Sequence, residues 1–292
     1  MKVVLAVLVF LFVTPAIRAQ TAITITSEPN AIVWIDEIRR GTTDANGKLS
    51  IAKVSAGRHT VRVRANGFKE TTAPLLPGRR ALDVKLVRTT DQAELSFQEA
   101  ETAREKARDD PSLEKAAELY RQALKARPAF PQAQVGLARV LMDLNQFKDA
   151  HAAIDAARRT RPSFAEASAI EGRIYREEAF SDDAIRAFRR AIREGGGVQP
   201  EAHVGIARVL EDKGQFEEAI VEFKKALVQL SDSEPVIYQM IGAAYEKIEK
   251  PKEAVAAYEK YLQLAPNGSY AAAIRSILDQ LKREAAGEQI IP

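Results

Sequence analysis

The sequence predicts a multidomain α+β chain: a small N-terminal β-sandwich, then an α-solenoid of about five helix pairs with a C-terminal capping helix. Three observations carry this expectation. Between residues 20 and 88, short stretches alternate apolar and polar residues between Gly/Asn turns, which is the period of strands rather than helices. Beyond residue 90, a block opening on alanine recurs at Ala116, Ala150, Ala184, Ala219 and Ala254, at intervals of 34, 34, 35 and 35 residues. Such constancy marks stacked repeats. Charge divides the chain in the same place. Residues 20–88 hold 12 Lys+Arg against 6 Asp+Glu, and residues 89–292 hold 29 against 34. The overall +3 therefore hides a basic part joined to a mildly acidic one.

The first element is MKVVLAVLVFLFVTPAIRAQ, with Lys2 ahead of an apolar run from Val3 to Val13, then Pro15 and Ala19. That order is a secretory signal over residues 1–19, cut after Ala19. The run is too short for the ~20 apolar residues a bilayer span needs. No later segment is apolar enough to span, so the expected location is the periplasm or the cell surface. Cysteine is absent, which excludes disulfides, thiolate metal sites, cysteine nucleophiles and lipid attachment through cysteine.

The β part, residues 20–88, opens with the alternating Thr21-Ala-Ile-Thr-Ile-Thr. Ala31, Val33 and Ile35 then alternate with Ile32, Trp34 and Asp36. Asn46-Gly47 is a strong hairpin signal ahead of Leu49 and Ile51. Val61 and Val63 point one way, with Thr60, Arg62 and Arg64 pointing the other. Asn66-Gly67 turns again, and ALDVKLV closes the part. About 70 residues suffice for an independent fold.

The stretches SEPNAIVWIDE and SAGRHTVRVRANGF resemble the PEGA domain, a surface-associated β-sandwich. The middle, TTDANGKLSIAKVSAGRHTV, is also similar to carboxypeptidase regulatory-like sandwiches. Glu37 departs from the PEGA pattern, which usually has Gly after the Asp. The resemblance implies a placement module at a surface. Six arginines, Arg39, Arg40, Arg62, Arg64, Arg79 and Arg80, could cluster into a basic surface for anionic envelope polymers. The other reading is a solvated face that keeps a sheet from aggregating. Trp34 could stack on a sugar ring or cover the sandwich rim.

Residues 89–96 read as a linker, and residues 97–268 as repeat units of about 97–130, 131–164, 165–199, 200–234 and 235–268. Four residues after each opening alanine comes Tyr120, Ile154, Phe188, Phe223 or Tyr258. Three positions further comes Ala123, Ala157, Ala191, Ala226 or Tyr261. Upstream stand Gly172 and Gly242, with Ala138 and Ala207 as small equivalents. Small residues let helices approach, and the aromatic fills the gap between them. This pattern resembles the tetratricopeptide repeat, a 34-residue helix–turn–helix that stacks into a right-handed solenoid. Residues 269–286 form one more amphipathic helix, a cap over the last apolar face, and 287–292 are a tail.

The resemblance implies that the first helix of each unit lines a concave groove, through its positions 2, 5, 9 and 12. Position 9 is Arg139, Arg173 and Arg208 in three consecutive units, and position 12 adds Arg176. An arginine ladder would hold an extended peptide that is acidic or ends in a carboxylate. Alternatively, Glu166, Glu201 and Glu211 pair with these arginines across the stack and leave little net binding.

Nothing points to catalysis. His59, His151 and His203 form no HExxH pair and sit at no metal-ligand spacing. No GxSxG or nucleotide-binding glycine motif is present; Gly195-Gly196-Gly197 follows a helix and lacks the phosphate-loop lysine. The expectation is a non-enzyme without cofactor that binds a protein or peptide, with no nucleic-acid partner. The alternative is an envelope-polymer binder, for peptidoglycan or anionic headgroups, that acts through the β part while the repeats oligomerise it.

Overall fold

The computed structural model describes residues 21–54 and 57–286. The signal expected at residues 1–19 and the tail at 287–292 lie outside the described residues. The described strands are β1 (Thr21–Thr26), β2 (Ile32–Ile35), β3 (Ile38–Thr42), β4 (Lys48–Val54), β5 (His59–Arg64), β6 (Phe68–Lys69), β7 (Thr71–Leu75), β8 (Ala81–Asp83) and β9 (Val87–Arg88). They form a three-stranded sheet of order β4-β1-β8, a four-stranded sheet of order β3-β2-β5-β7, and the small pair β6-β9. Ile23, Ile25, Val33, Ile35, Ile51, Val61 and Val63, from both larger sheets, are buried in one apolar cluster.

Two β features differ from the sequence expectation. Asn46-Gly47 does not close a hairpin. Strand β3 pairs with β2 and β4 pairs with β1, so this turn carries the chain from one sheet to the other. The Asp44 carboxylate accepts the Asn46 and Lys48 amides at 2.8 and 2.9 Å. Gly47 sits at φ 73°, and a Cβ there would meet the Ser27 carbonyl at 2.0 Å. The turn chemistry is right, but tertiary pairing sets its use. The hairpin is instead β2–β3, turning at Asp36 and Glu37 with φ of 50° and 64°. Both central residues at positive φ make a turn of the type strand twist favours. Strand β3, which completes this hairpin, and β7 were not expected from sequence. Pro74 within β7 is tolerated because β7 lies at the sheet edge.

Among the described residues the remainder is eleven helices. They pair as α1 (Gln92–Lys106) with α2 (Asp110–Ala126), α3 (Pro131–Asp143) with α4 (Phe147–Thr160), and α5 (Ala165–Glu177) with α6 (Ser181–Glu194). Then follow α7 (Pro200–Asp212) with α8 (Phe216–Gln229), α9 (Pro235–Lys247) with α10 (Pro251–Leu264), and α11 (Ala271–Ala286). Proline in the first turn of α3, α7, α9 and α10 pre-sets helical φ where no amide partner is lost. The linker expected at 89–96 is much shorter. Asp91 accepts the amides of Ala93 and Glu94 and starts α1 at Gln92.

Three of the second helices carry an aromatic that packs on glycine of an inner helix, while α4 has Ile154 in that place. The fully buried Phe188 ring of α6 lies between Gly172 of α5 and Gly205 of α7. Added Cβ atoms at these glycines would approach the ring to 2.7 and 2.3 Å. Tyr120 packs on Gly136 of the following α3, and Tyr258 on Gly242 of the preceding α9, each against a single glycine. Beyond the fifth pair, α11 buries Ala271, Ile274 and Leu281 with Tyr258 and Tyr261 of α10.

Candidate binding cleft

The β region stands against the N-terminal end of the solenoid, with α1 as the joint. The Gly67 amide donates to Gln98 Oε1 at 2.8 Å, and Gln98 Nε2 donates to the Phe68 carbonyl at 2.8 Å. Arg39 of β3 pairs with Glu105 at 3.0 Å, and Arg64 of β5 pairs with Glu101 at 3.2 Å. Arg64 is 6% exposed, with its guanidinium 5.1 Å from the Trp34 ring and 5.2 Å from the Phe97 ring. Burial works to raise the Glu101 carboxyl. Arg104 and Arg64, helped by the Tyr120 hydroxyl, overcome it and bring the pKa down to about 2.

Between the β region and the inner helices lies a cleft of about 1180 Å³. Trp34, Arg62 and Arg64 line one wall; Glu166, Val204 and Ile237 are among the residues lining the other. Arg62 is pinned at 2.9 Å by Glu37 and 3.1 Å by Glu70, and its guanidinium lies 4.1 Å from the Trp34 ring. Burial acts to lower Arg62, but Glu70 and Glu37 hold it above its ordinary value. Across the cleft, burial pushes the Glu166 carboxyl up, and on the β side burial lowers Arg40.

The sequence-predicted arginines divide between this cleft and elsewhere. Arg139 lines it, bonded to Glu166 at 3.3 Å. Arg173 lies 3.7 Å from Glu201 and 4.0 Å from Asp143. Arg176 pairs with Asp212 at 3.1 Å and Glu177 at 3.3 Å, and Arg208 lies 3.9 Å from Glu211. Each ladder arginine thus has an acidic neighbour. Of the basic β set, Arg39, Arg62 and Arg64 turn toward the solenoid, while Arg79 and Arg80 are exposed on the loop before β8. The six therefore do not form one solvent-facing surface, because the outward face of β2 and β5 is covered by α1 and the cleft. Trp34 is half-buried on that face.

Glu166, Glu201 and Glu211, read from the sequence as partners of the arginines, do stand beside them; Glu234 and Glu101 were missed. Position 2 of consecutive inner helices is Gln132, Glu166 and Glu201, followed by Glu234 just before α9. For Glu234 the signal was the repeat period itself, which puts an acid near the start of the next inner helix as well. Glu101 gave no such signal. Among the described residues, no group of three or more His, Cys, Asp or Glu side chains could hold a metal ion.

Helix pairs of this period around a concave cleft define a solenoid of the protein-binding repeat class. Profiles of the tetratricopeptide repeat match residues 101–174, 171–235 and 235–267, and the helical part of the chain is built of tetratricopeptide repeats. No curated protein matches the sequence. Solved structures similar in fold include a thermophilic tetratricopeptide-repeat protein of Thermus thermophilus, 20% identical, with TM-score 0.53 over 65% of this chain and 98% of that one. Another is pilF of Pseudomonas aeruginosa, 16% identical, TM-score 0.55, over 67% and 88% of the two chains. A third is PilW, a widely conserved type IV pilus biogenesis factor, 15% identical, TM-score 0.57, over 68% and 91%. At these identities the likeness is one of fold. No described helix is long and apolar enough to cross a membrane.

Proposed function

We propose that the protein is an exported, non-catalytic scaffold that holds another protein in the cleft of its repeat solenoid, with the PEGA-like β region as a placement module. The observation that carries this is the cleft. One wall comes from consecutive repeat units, where apolar Val204, Leu230 and Ile237 line the cleft with Glu201 and Glu234, a mixture suited to an extended protein segment. The leader-like first 19 residues support export, and the likeness to PilW, a pilus biogenesis factor, is consistent with an envelope role. The polymer-binding alternative is weakened by the position of Arg62 in the cleft and of Arg64 against Glu101.

Site-specific photo-crosslinking tests the scaffold reading. A crosslinking residue replaces Val204 inside the cleft or Val221, which is 51% exposed on α8. Adducts to one discrete protein from position 204 and not from 221 are expected. Adducts from 221 alone would sink the assignment to the cleft. Recovery of a chain beginning at Gln20 from the envelope fraction is the matching check on export.

A further inference from the structure

The face of the β region that is richest in arginine is turned into the solenoid, and the solenoid meets it with carboxylates. Arg64 reaches Glu101 and Arg39 reaches Glu105. A further coupling acts at longer range, between Arg62 and Glu166. These acids belong to the solenoid, and the arginines to the basic region. The Arg64 guanidinium lies near one aromatic ring from each side, Trp34 of the β region and Phe97 of α1. A guanidinium plane stacks on rings and bonds a carboxylate at the same time, and an ammonium does not reproduce that. Between β9 and α1 only Thr89–Asp91 intervene, so the two parts are joined through a short strap next to the contact.

We propose that the inner face of the first three repeat units is a recognition surface for arginine-bearing protein faces, and that its resident occupant is the chain's own β region. A partner of this part of the groove then competes with the β region in cis and must present guanidinium groups of its own. Val204, Leu230 and Ile237, across the cleft from Trp34, Arg62 and Arg64, stay accessible from the cleft while the β region is docked. This goes beyond the scaffold assignment and concerns what occupies the groove when no partner does.

The test needs no external partner, so its failure is distinct from failure of the crosslinking above. The chain has no cysteine, and cysteines introduced at exposed Lys53 and Val228 carry a donor–acceptor pair on residues 20–292. One docked population is expected in low salt. Arg64→Lys should raise the undocked fraction about tenfold, as expected for loss of a charge-assisted bond. The half-exposed pair supplies a second arm that spares the fold: Glu105→Arg should undock the β region partially, and adding Arg39→Glu should restore it. Nona-arginine should undock the wild type at lower concentration than nona-lysine. A distance unchanged by Arg64→Lys and by nona-arginine would overturn the proposal, making the β region a permanent wall. Equal action of the two peptides would overturn the arginine selectivity.

Discussion

The solenoid and the β region are held by contacts of different reach. In the solenoid, Phe188 of α6 packs on Gly172 and Gly205, one helix behind and one ahead. In the β region, β1 pairs in parallel with β8 through Thr24 and Ala81, at opposite ends of the region's sequence. Local contacts recur with the repeat and leave a period in the sequence, whereas non-local strand pairs leave none. The difference teaches where a sequence can be trusted: on what touches its own neighbours in the chain.

The sharpest way to break this comparison is Phe188→Ala. Removing a fully buried ring should cost roughly 3–5 kcal/mol. Hydrogen exchange should show the loss spreading through α5–α8 while strands β1, β2 and β5 keep their protection. Equal loss in the strands would mean that the two regions unfold as one.

Acid probes the joint between the regions. The Glu101 carboxyl is held near 2, against an ordinary value of 4.5, by Arg104 and Arg64, with Tyr120 and Arg139 also facing it. A depressed folded pKa contributes stability that is fully present above the unfolded value and is lost as pH falls through the folded one. The contribution is roughly 3 kcal/mol, fading between about pH 4.5 and 2. Glu101→Gln should flatten that part of the stability–pH curve in urea titrations. An unchanged slope would remove Glu101 from the joint.

Gly205→Ala should destabilise by about 1–3 kcal/mol, because the new methyl meets the Phe188 ring at 2.3 Å. Pairing it with Phe188→Leu should recover part of the loss in thermal melts; additive losses would show that the ring is not the obstacle. The smallest effect belongs to the β hairpin. Glu37 holds φ 64°, a conformation that costs a side-chain-bearing residue roughly 1–2 kcal/mol. Glu37→Gly should relieve this and lose the half-exposed bridge to Arg62, which Glu70 still holds, for a net gain of up to about 1 kcal/mol. No gain in chemical denaturation would mean that the bridge outweighs the strain.

The sequence by itself determined the division of the chain, the repeat period and the pairing of aromatics with small residues. These depend on neighbours one helix away, and the alternation at Val61 and Val63 likewise showed which face enters the β core. Tertiary structure decided what the turn at Asn46-Gly47 connects, since the same φ values serve a hairpin or a crossing between sheets. It also decided the fate of the arginines. Alternation placed Arg62 and Arg64 on the outward face of β5, but only the packing of α1 shows that outward is not solvent. Arg139 met Glu166 because stacking sets position 9 of one inner helix beside position 2 of the next. A charge is visible in a sequence; its partner is fixed by geometry that only the folded chain creates.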